Sequence, residues 1–200
     1  NFIDIKKYIS WDILDEAINN DFVWWEIINR NGEKIQIPSK NPYWFRGYEQ
    51  QNKLFIINCV NRENTFVISK CSILNEKLKS LISSIQNCFH VSADIHIYGS
   101  KGAGTSFAPH ADLPANFMIQ VEGETKWIVY KNKVSNLLKL NHDFQHDELE
   151  PLIETILKPG DLLYVPSRYY HCAFPNSPRL SISIPCLNSE TVGHLDIDSL

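Results

Sequence analysis

Short alternating apolar segments set off by turn-forming residues fill the chain from residue 91 onward, and they predict a mainly β fold, a double-stranded β-helix or jelly roll. Helical elements are expected before it, where apolar residues recur at helical spacing. The 200 residues are 44% hydrophobic, enough for one domain with a sizeable core. We therefore expect a single domain over 1–200, with a helix and hairpin portion at 1–90 and a jelly-roll core at 91–186 that carries the chemistry.

The elements follow in order. Residues 8–19 carry apolar positions at helical spacing, with Ser10 as N-cap, acidic residues in the first turns and Asn19-Asn20 as the stop. Segments 22–28 and 34–37 flank Asn31-Gly32, a pair that tolerates positive φ angles, so a hairpin is expected. An aromatic-rich stretch at 41–48, with Trp44 and Phe45, reads as a loop packed onto the body. Strands are expected at 54–60 and 65–69, and an amphipathic helix at 72–89 with Ile73, Leu74, Leu78, Ile82 and Ile85 on one stripe. Further strands are expected at 94–98, 116–121, 126–130, 153–157, 161–165, 169–174 and 180–184. The glycine-rich 99–105 lacks the Gly-Lys-Ser/Thr ending of a phosphate loop and precedes a strand, so it reads as a connection at the barrel mouth. The polar stretch 131–150 reads as an excursion over the rim.

The formal net charge of −4 and the absence of any long Lys/Arg cluster argue against a nucleic-acid backbone as partner. Apolar runs are interrupted by charge, so neither a membrane span nor a signal peptide is read and a cytoplasmic protein is expected. Five cysteines without a Cys-x-x-Cys pair fit free thiols better than a disulfide framework.

Pro109-His110-Ala111-Asp112 is the segment that points to chemistry. Side chains two apart on a strand share a face, so His110 and Asp112 can reach one metal ion. His171 is the best candidate for a third ligand. It follows the apolar strand Gly160-Asp161-Leu162-Leu163-Tyr164-Val165-Pro166 and an aromatic pair, Tyr169-Tyr170. Two imidazoles and one carboxylate on one side of a metal leave other positions open, the arrangement of non-haem iron(II) oxygen chemistry. An aspartate buried between apolar strands would also be costly without a cation. His90, His96 and His194 stand alone and need no function, and the run around His142 and His146 is too polar to bury. Cys172 alternates to the other face from His171 and takes no ligand role.

These motifs, with the strand Phe117-Met118-Ile119-Gln120-Val121-Glu122-Gly123 and Trp127, resemble the cupin-type, JmjC-like iron(II) and 2-oxoglutarate dependent oxygenases over about 95–186. The resemblance implies a dioxygenase, specifically a hydroxylase, that uses iron(II), 2-oxoglutarate and O2, with His110, Asp112 and His171 as catalytic metal ligands. Its substrate would be an amino-acid, peptide or protein side chain or a small natural product, and such cupins often form homodimers. The family holds the far carboxylate of 2-oxoglutarate with a basic residue. The usual position is Thr125 here, with Lys126 one further on and facing outward by alternation. Arg179-Leu180-Ser181 resembles the Arg-x-Ser pair of another branch, which makes Arg179 the preferred anchor, Ser181 its companion and Lys126 the second choice. Asn116 and Tyr98 are carried over as further co-substrate contacts. A cupin metalloenzyme without 2-oxoglutarate (a dioxygenase or isomerase), a zinc site and a non-catalytic cupin binding module are the competing readings. Trp24, Trp25, Trp44 and Phe45 hint at an apolar contact surface, and no residue pattern encodes the substrate.

Overall fold

A computed structural model gives the structure of residues 5–39, 51–102, 107–134, 148–176 and 178–187. In chain order the elements are α1 (Ile13–Ile18), β1 (Trp24–Ile28), β2 (Lys34–Ile35), α2 (Lys53–Asn61), β3 (Thr65–Ser69), α3 (Glu76–Phe89), β4 (Ser92–Ala93) and β5 (His96–Ser100). Then come β6 (His110–Ala111), β7 (Ala115–Glu122), β8 (Thr125–Lys133), β9 (Pro151–Leu157), β10 (Leu162–Val165), β11 (Tyr169–Pro175) and β12 (Arg179–Leu187).

The strands form two antiparallel sheets. The larger runs β10-β7-β12-β5-β3-β1-β2, with β4 beside β12, and the smaller runs β6-β11-β8-β9. This is the expected jelly roll, and the N-terminal strands β1 to β3 extend its larger sheet. Alternation decides which sheet face is wet. Leu180, Ile182 and Ile184 of β12 turn away from the smaller sheet into a core with Ile97, Ile68 and Ile27, covered by Ile13 and Ala17 of α1, Ile56 and Val60 of α2 and Leu78 and Ile82 of α3. Between the sheets, Met118, Leu163 and Val165 of the larger meet Trp127, Val129 and Ala173 of the smaller. The outer face of the smaller sheet has its own cluster, with Ala111, Tyr130, Tyr170 and Cys172. All five cysteines are free thiols, four of them buried.

Several local expectations are corrected. Residues 54–60 are not a strand: they lie within α2, whose N-cap Asn52 accepts a hydrogen bond from the Phe55 amide. Ile56, Cys59 and Val60 are the buried positions, a helical spacing hidden inside a run so apolar that alternation could not be judged. The first helix begins at Ile13, because Ser10, Trp11 and Asp12 carbonyls accept three-residue turn bonds and the Ser10 hydroxyl donates to Asp12 Oδ2. The third helix starts at Glu76, where Asn75 accepts from the Leu78 amide; Cys71–Ile73 form a separate 3-10 turn and Ile73 is exposed. The strand expected from residue 94 starts at His96, since the Asp94 carboxylate is engaged by the Ile95 and Ser72 amides. The expected hairpin forms, but with a longer turn. Asn29 accepts from the amides of Asn31 and Glu33, and of the Asn-Gly pair only Gly32 takes a positive φ. The aromatic stretch 41–48, the tip of the glycine loop at 103–106 and the run 135–147 with His142 and His146 lie outside the described residues.

Gly99 of β5 sits under the ring of Phe66, which pairs with it across β3 and packs on Trp11 and Trp25. A Cβ there would lie 2.3 Å from Phe66 Cζ, in a residue with no exposed surface. Gly99→Ala should therefore destabilise the protein by about 1–3 kcal/mol through overpacking, read as a lower midpoint in thermal or urea unfolding.

Candidate metal centre and its cavity

His110 and His171 face each other across the two-residue β6–β11 ladder. Their rings lie 4.5 Å apart between centroids, and Asp112, just beyond β6, brings its carboxylate to the same point. The three ligand atoms lie within 4.8 Å of one another, with His171 Nε2 3.6 Å from Asp112 Oδ2. Each imidazole is oriented from behind: His110 Nδ1 bonds the Ala108 carbonyl at 2.9 Å and His171 Nδ1 the Tyr169 carbonyl at 3.0 Å. A carbonyl only accepts, so Nδ1 carries the proton in both rings and Nε2 presents its lone pair to the shared point. Burial, and then the neighbouring His110, push the His171 imidazole down to about 4, against the opposing pull of Asp112. At neutral pH that ring is an uncharged donor.

Asp112 departs from the sequence expectation. It is not buried, since its side chain is 40% exposed, and it is not unpaired, because Asn116 Nδ2 donates to its Oδ2 at 3.0 Å. Asn116 is itself fixed by the Ser183 hydroxyl, which donates to Oδ1 at 3.1 Å. The carboxylate stands at the rim because β6 ends at Ala111. What aims it is the turn before β11. There Arg168, at a φ of 69°, donates its amide to the Asp112 carbonyl at 2.7 Å, while its own carbonyl accepts from Val134. The Ser167 hydroxyl bonds the Leu113 carbonyl in the same turn. An arginine in the left-handed region is disfavoured, and nothing in the sequence signals it.

A recess of about 370 Å³, counted out to its mouth, opens from the three ligands into the space between the sheets. Tyr98, Asn116, Met118, Arg179 and Ser183 line it from the larger sheet, and His110, Trp127, His171 and Ala173 from the smaller. Arg179 is 1% exposed, and its Nε and Nη2 have no hydrogen-bond partner. Burial lowers its affinity for a proton to about 10, which still leaves it cationic at neutral pH. Tyr98 is half-buried, and burial and then Asp112 drive its phenol upward. The recess thus joins a cluster of potential metal-ligand atoms to a buried cation with donors to spare, which is the chemistry that complements a small anion.

Of the other residues singled out from the sequence, Lys126 does not reach the recess: it points outward from β8 and pairs with Glu154 of β9 at 2.6 Å. Ser181 is buried on the same strand as Arg179, but its hydroxyl donates to Gln120 Oε1 at 2.9 Å and it does not line the cavity. Sequence reasoning gave no role to Phe107, Met118 or Ala173. Met118 and Ala173 could have been found from strand alternation with Asn116 and His171, whereas Phe107, edge-on to the His110 ring, follows an undescribed loop and had no signal. Trp24 and Trp25 part company, as alternation requires: Trp25 is buried in the core and Trp24 is exposed.

This cupin jelly roll with a two-histidine, one-carboxylate cluster between its sheets defines a class, and comparison with known proteins gives the family. The chain belongs to the JmjC domain family, whose profile matches residues 70–194. It is 31% identical over 109 residues to the bifunctional lysine-specific demethylase and histidyl-hydroxylase NO66 of Drosophila persimilis, covering 54% of this chain and 16% of that protein. It is 35% identical over 96 residues to ribosomal oxygenase 1 of Homo sapiens, covering 46% of this chain and 15% of that protein. The chain therefore spans a small part of the curated relatives it matches. The ribosomal oxygenase YcfD from Escherichia coli, solved in complex with cobalt and 2-oxoglutarate, superposes with a TM-score of 0.63 at 21% identity. That match covers 95% of this chain and 46% of that one, and it extends the shared fold to the N-terminal strands.

Two outcomes test the geometry. Asn116→Ala, which releases the Asp112 carboxylate, should weaken Mn(II) binding roughly 10- to 100-fold in a calorimetric titration, in line with the loss of other groups that orient a ligand. Between pH 6.5 and about 4 the unfolded chain binds a proton at His171 that the folded chain refuses, so metal-free stability should fall as pH drops through that window. His96, also lowered by burial, contributes with the same sign. Unfolding midpoints measured across the window should drop less steeply in His171→Asn than in the wild type.

Proposed function

We propose that this chain is an iron(II) and 2-oxoglutarate dependent oxygenase that hydroxylates a C–H bond of a protein side chain, with His110, Asp112 and His171 as the iron ligands. The observation that carries the reading is Arg179. A buried guanidinium with two unpaired nitrogens is costly unless a ligand completes it, and this one lines the same recess as the ligand cluster. A metalloenzyme that does without the keto acid has no use for that cation. The donor set fits as well: two imidazoles and a carboxylate suit iron(II) and leave room for a chelating co-substrate.

Bound iron, with 2-oxoglutarate and O2, would supply the oxidising power for C–H hydroxylation. The chain supplies placement. Tyr169 and Ala108 carbonyls hold the imidazoles in their ligating tautomer, and Asn116 holds the Asp112 carboxylate. Arg179 would hold the far carboxylate of the co-substrate, with Tyr98 on the same wall. The walls of Met118, Trp127 and Phe107 keep bulk water from the reacting carbon. The half-exposed Asp112 side marks where the substrate enters, and that opening admits a side chain presented by a larger partner. The relatives named for ribosomal and histidyl substrates support a protein substrate for this chain too. No helix among the described residues is long and apolar enough to cross a membrane, which fits the cytoplasmic setting that we propose with it.

The reading is tested by succinate formation with anaerobically added iron(II). Wild type should bind 2-oxoglutarate and turn it over slowly without substrate. His110→Ala should abolish turnover, Arg179→Ala should weaken co-substrate binding by about 2 kcal/mol or more, as expected for a charged hydrogen-bonded pair, and Lys126→Ala should match wild type. Iron binding without any 2-oxoglutarate binding would overturn the assignment.

A further inference from the structure

Arg179 is not alone in lacking partners. Thr125 and Trp127, two residues apart on β8, also carry buried polar atoms without a hydrogen bond, Oγ1 and Nε1 respectively. Thr125 has no exposed surface and Trp127 is 5% exposed. Trp127 and Val129 pack in the cluster between the sheets, so alternation puts Thr125 on the same inner face.

Register places them along one line. His171 pairs with Val129, Ala173 with Trp127 and Pro175 with Thr125. Beyond Pro175 the Asn176 amide bonds the Glu124 carbonyl, and the larger sheet is re-entered at Arg179. Thr125 therefore stands at the same end of the barrel as Arg179, on the opposite sheet, although of the two β8 residues only Trp127 lines the recess. Trp127, its ring stacked 6.2 Å from His171, stands between that end and the metal ligands. The carboxylate accounting points the same way. An ionised carboxylate has about four acceptor sites, and a bidentate guanidinium fork occupies two of them.

We propose that Thr125 Oγ1 and Trp127 Nε1 donate the remaining two hydrogen bonds to the far carboxylate of the co-substrate, so that its anchor is split between a cation on β12 and neutral donors on β8. This rests on the oxygenase reading and adds two positioning residues to it. A hydroxyl and an indole N–H recognise the acceptor geometry of a carboxylate without a second charge. Selectivity for a dicarboxylate over a keto acid with an apolar tail is therefore theirs as well as Arg179's, because the tail would leave three residues' donors unpaired.

The test is calorimetric binding to the Mn(II)-loaded chain, a redox-silent stand-in, with 2-oxoglutarate and with 2-oxobutyrate, which has the same keto acid end and no far carboxylate. Thr125→Val and Trp127→Phe should each weaken 2-oxoglutarate roughly tenfold, while Mn(II) and 2-oxobutyrate affinities stay at wild-type values. Thr125→Ser, which restores the hydroxyl, should recover binding to within about twofold of wild type. Unchanged 2-oxoglutarate binding in the valine and phenylalanine variants would overturn the split anchor and leave the oxygenase reading standing. Equal losses for both keto acids would also overturn it, since the donors would then serve the cavity wall and not the far carboxylate. A wild type that binds neither keto acid would sink both proposals together.

Discussion

The β6–β11 ladder has two paired residues, and a one-residue slip in it would turn an imidazole out of the recess. So short a ladder does not hold its own register. β11 is held by its long pairing with β8, and the segment around β6 is tied from its far end, where the Arg168 amide takes the Asp112 carbonyl and the Ser167 hydroxyl takes that of Leu113. The left-handed Arg168 is the cost of that tie, of order 1 kcal/mol or more of backbone strain. The ligand cluster and the orientation of Asp112 depend on these few bonds.

Polar groups in the recess fall into two sets with opposite needs. His110, His171, Asp112, Asn116 and Ser183 satisfy one another or the backbone, so their geometry exists before any ligand arrives. Trp127 and Arg179 of the recess wall, with Thr125 next to Trp127 on the same face of β8, carry buried polar atoms that are left unpaired. A site built in this way holds its three candidate metal ligands in place and reserves its unspent hydrogen bonds for whatever fills the far end.

Much of this was legible from the sequence because strands report their faces. His110, Asp112 and His171 emerge from period-two alternation and from turn residues around 159–166, whereas Arg179 comes from the resemblance of Arg179-Leu180-Ser181 to a family Arg-x-Ser pair, supported by its sharing a face with Ser181 and Ser183. Lys126 read as outward for the same reason, and its ion pair with Glu154 fits. Alternation says nothing, however, about where a strand stops. Asp112 was therefore read as buried when it stands at a rim, and Ser181 was read with Arg179 although Gln120 takes its hydroxyl. The helix at 53–61 was missed because Leu-Phe-Ile-Ile-Asn-Cys-Val fits both periods, and a single capping side chain, Asn52, decided between them. The turn at Arg168 was invisible because only glycine, asparagine or aspartate advertises a left-handed backbone.

The uneven burial of the three ligands has a kinetic meaning. His171 is enclosed and His110 is braced between Phe107 and His171, whereas the Asp112 side chain is open to solvent. An ion held by all three would be released by the carboxylate first and would leave through the mouth past Asp112, with both imidazoles still in place to receive another. Metal exchange would then need no movement of either sheet, and its rate would be set by the one hydrogen bond from Asn116 that keeps the carboxylate turned inward.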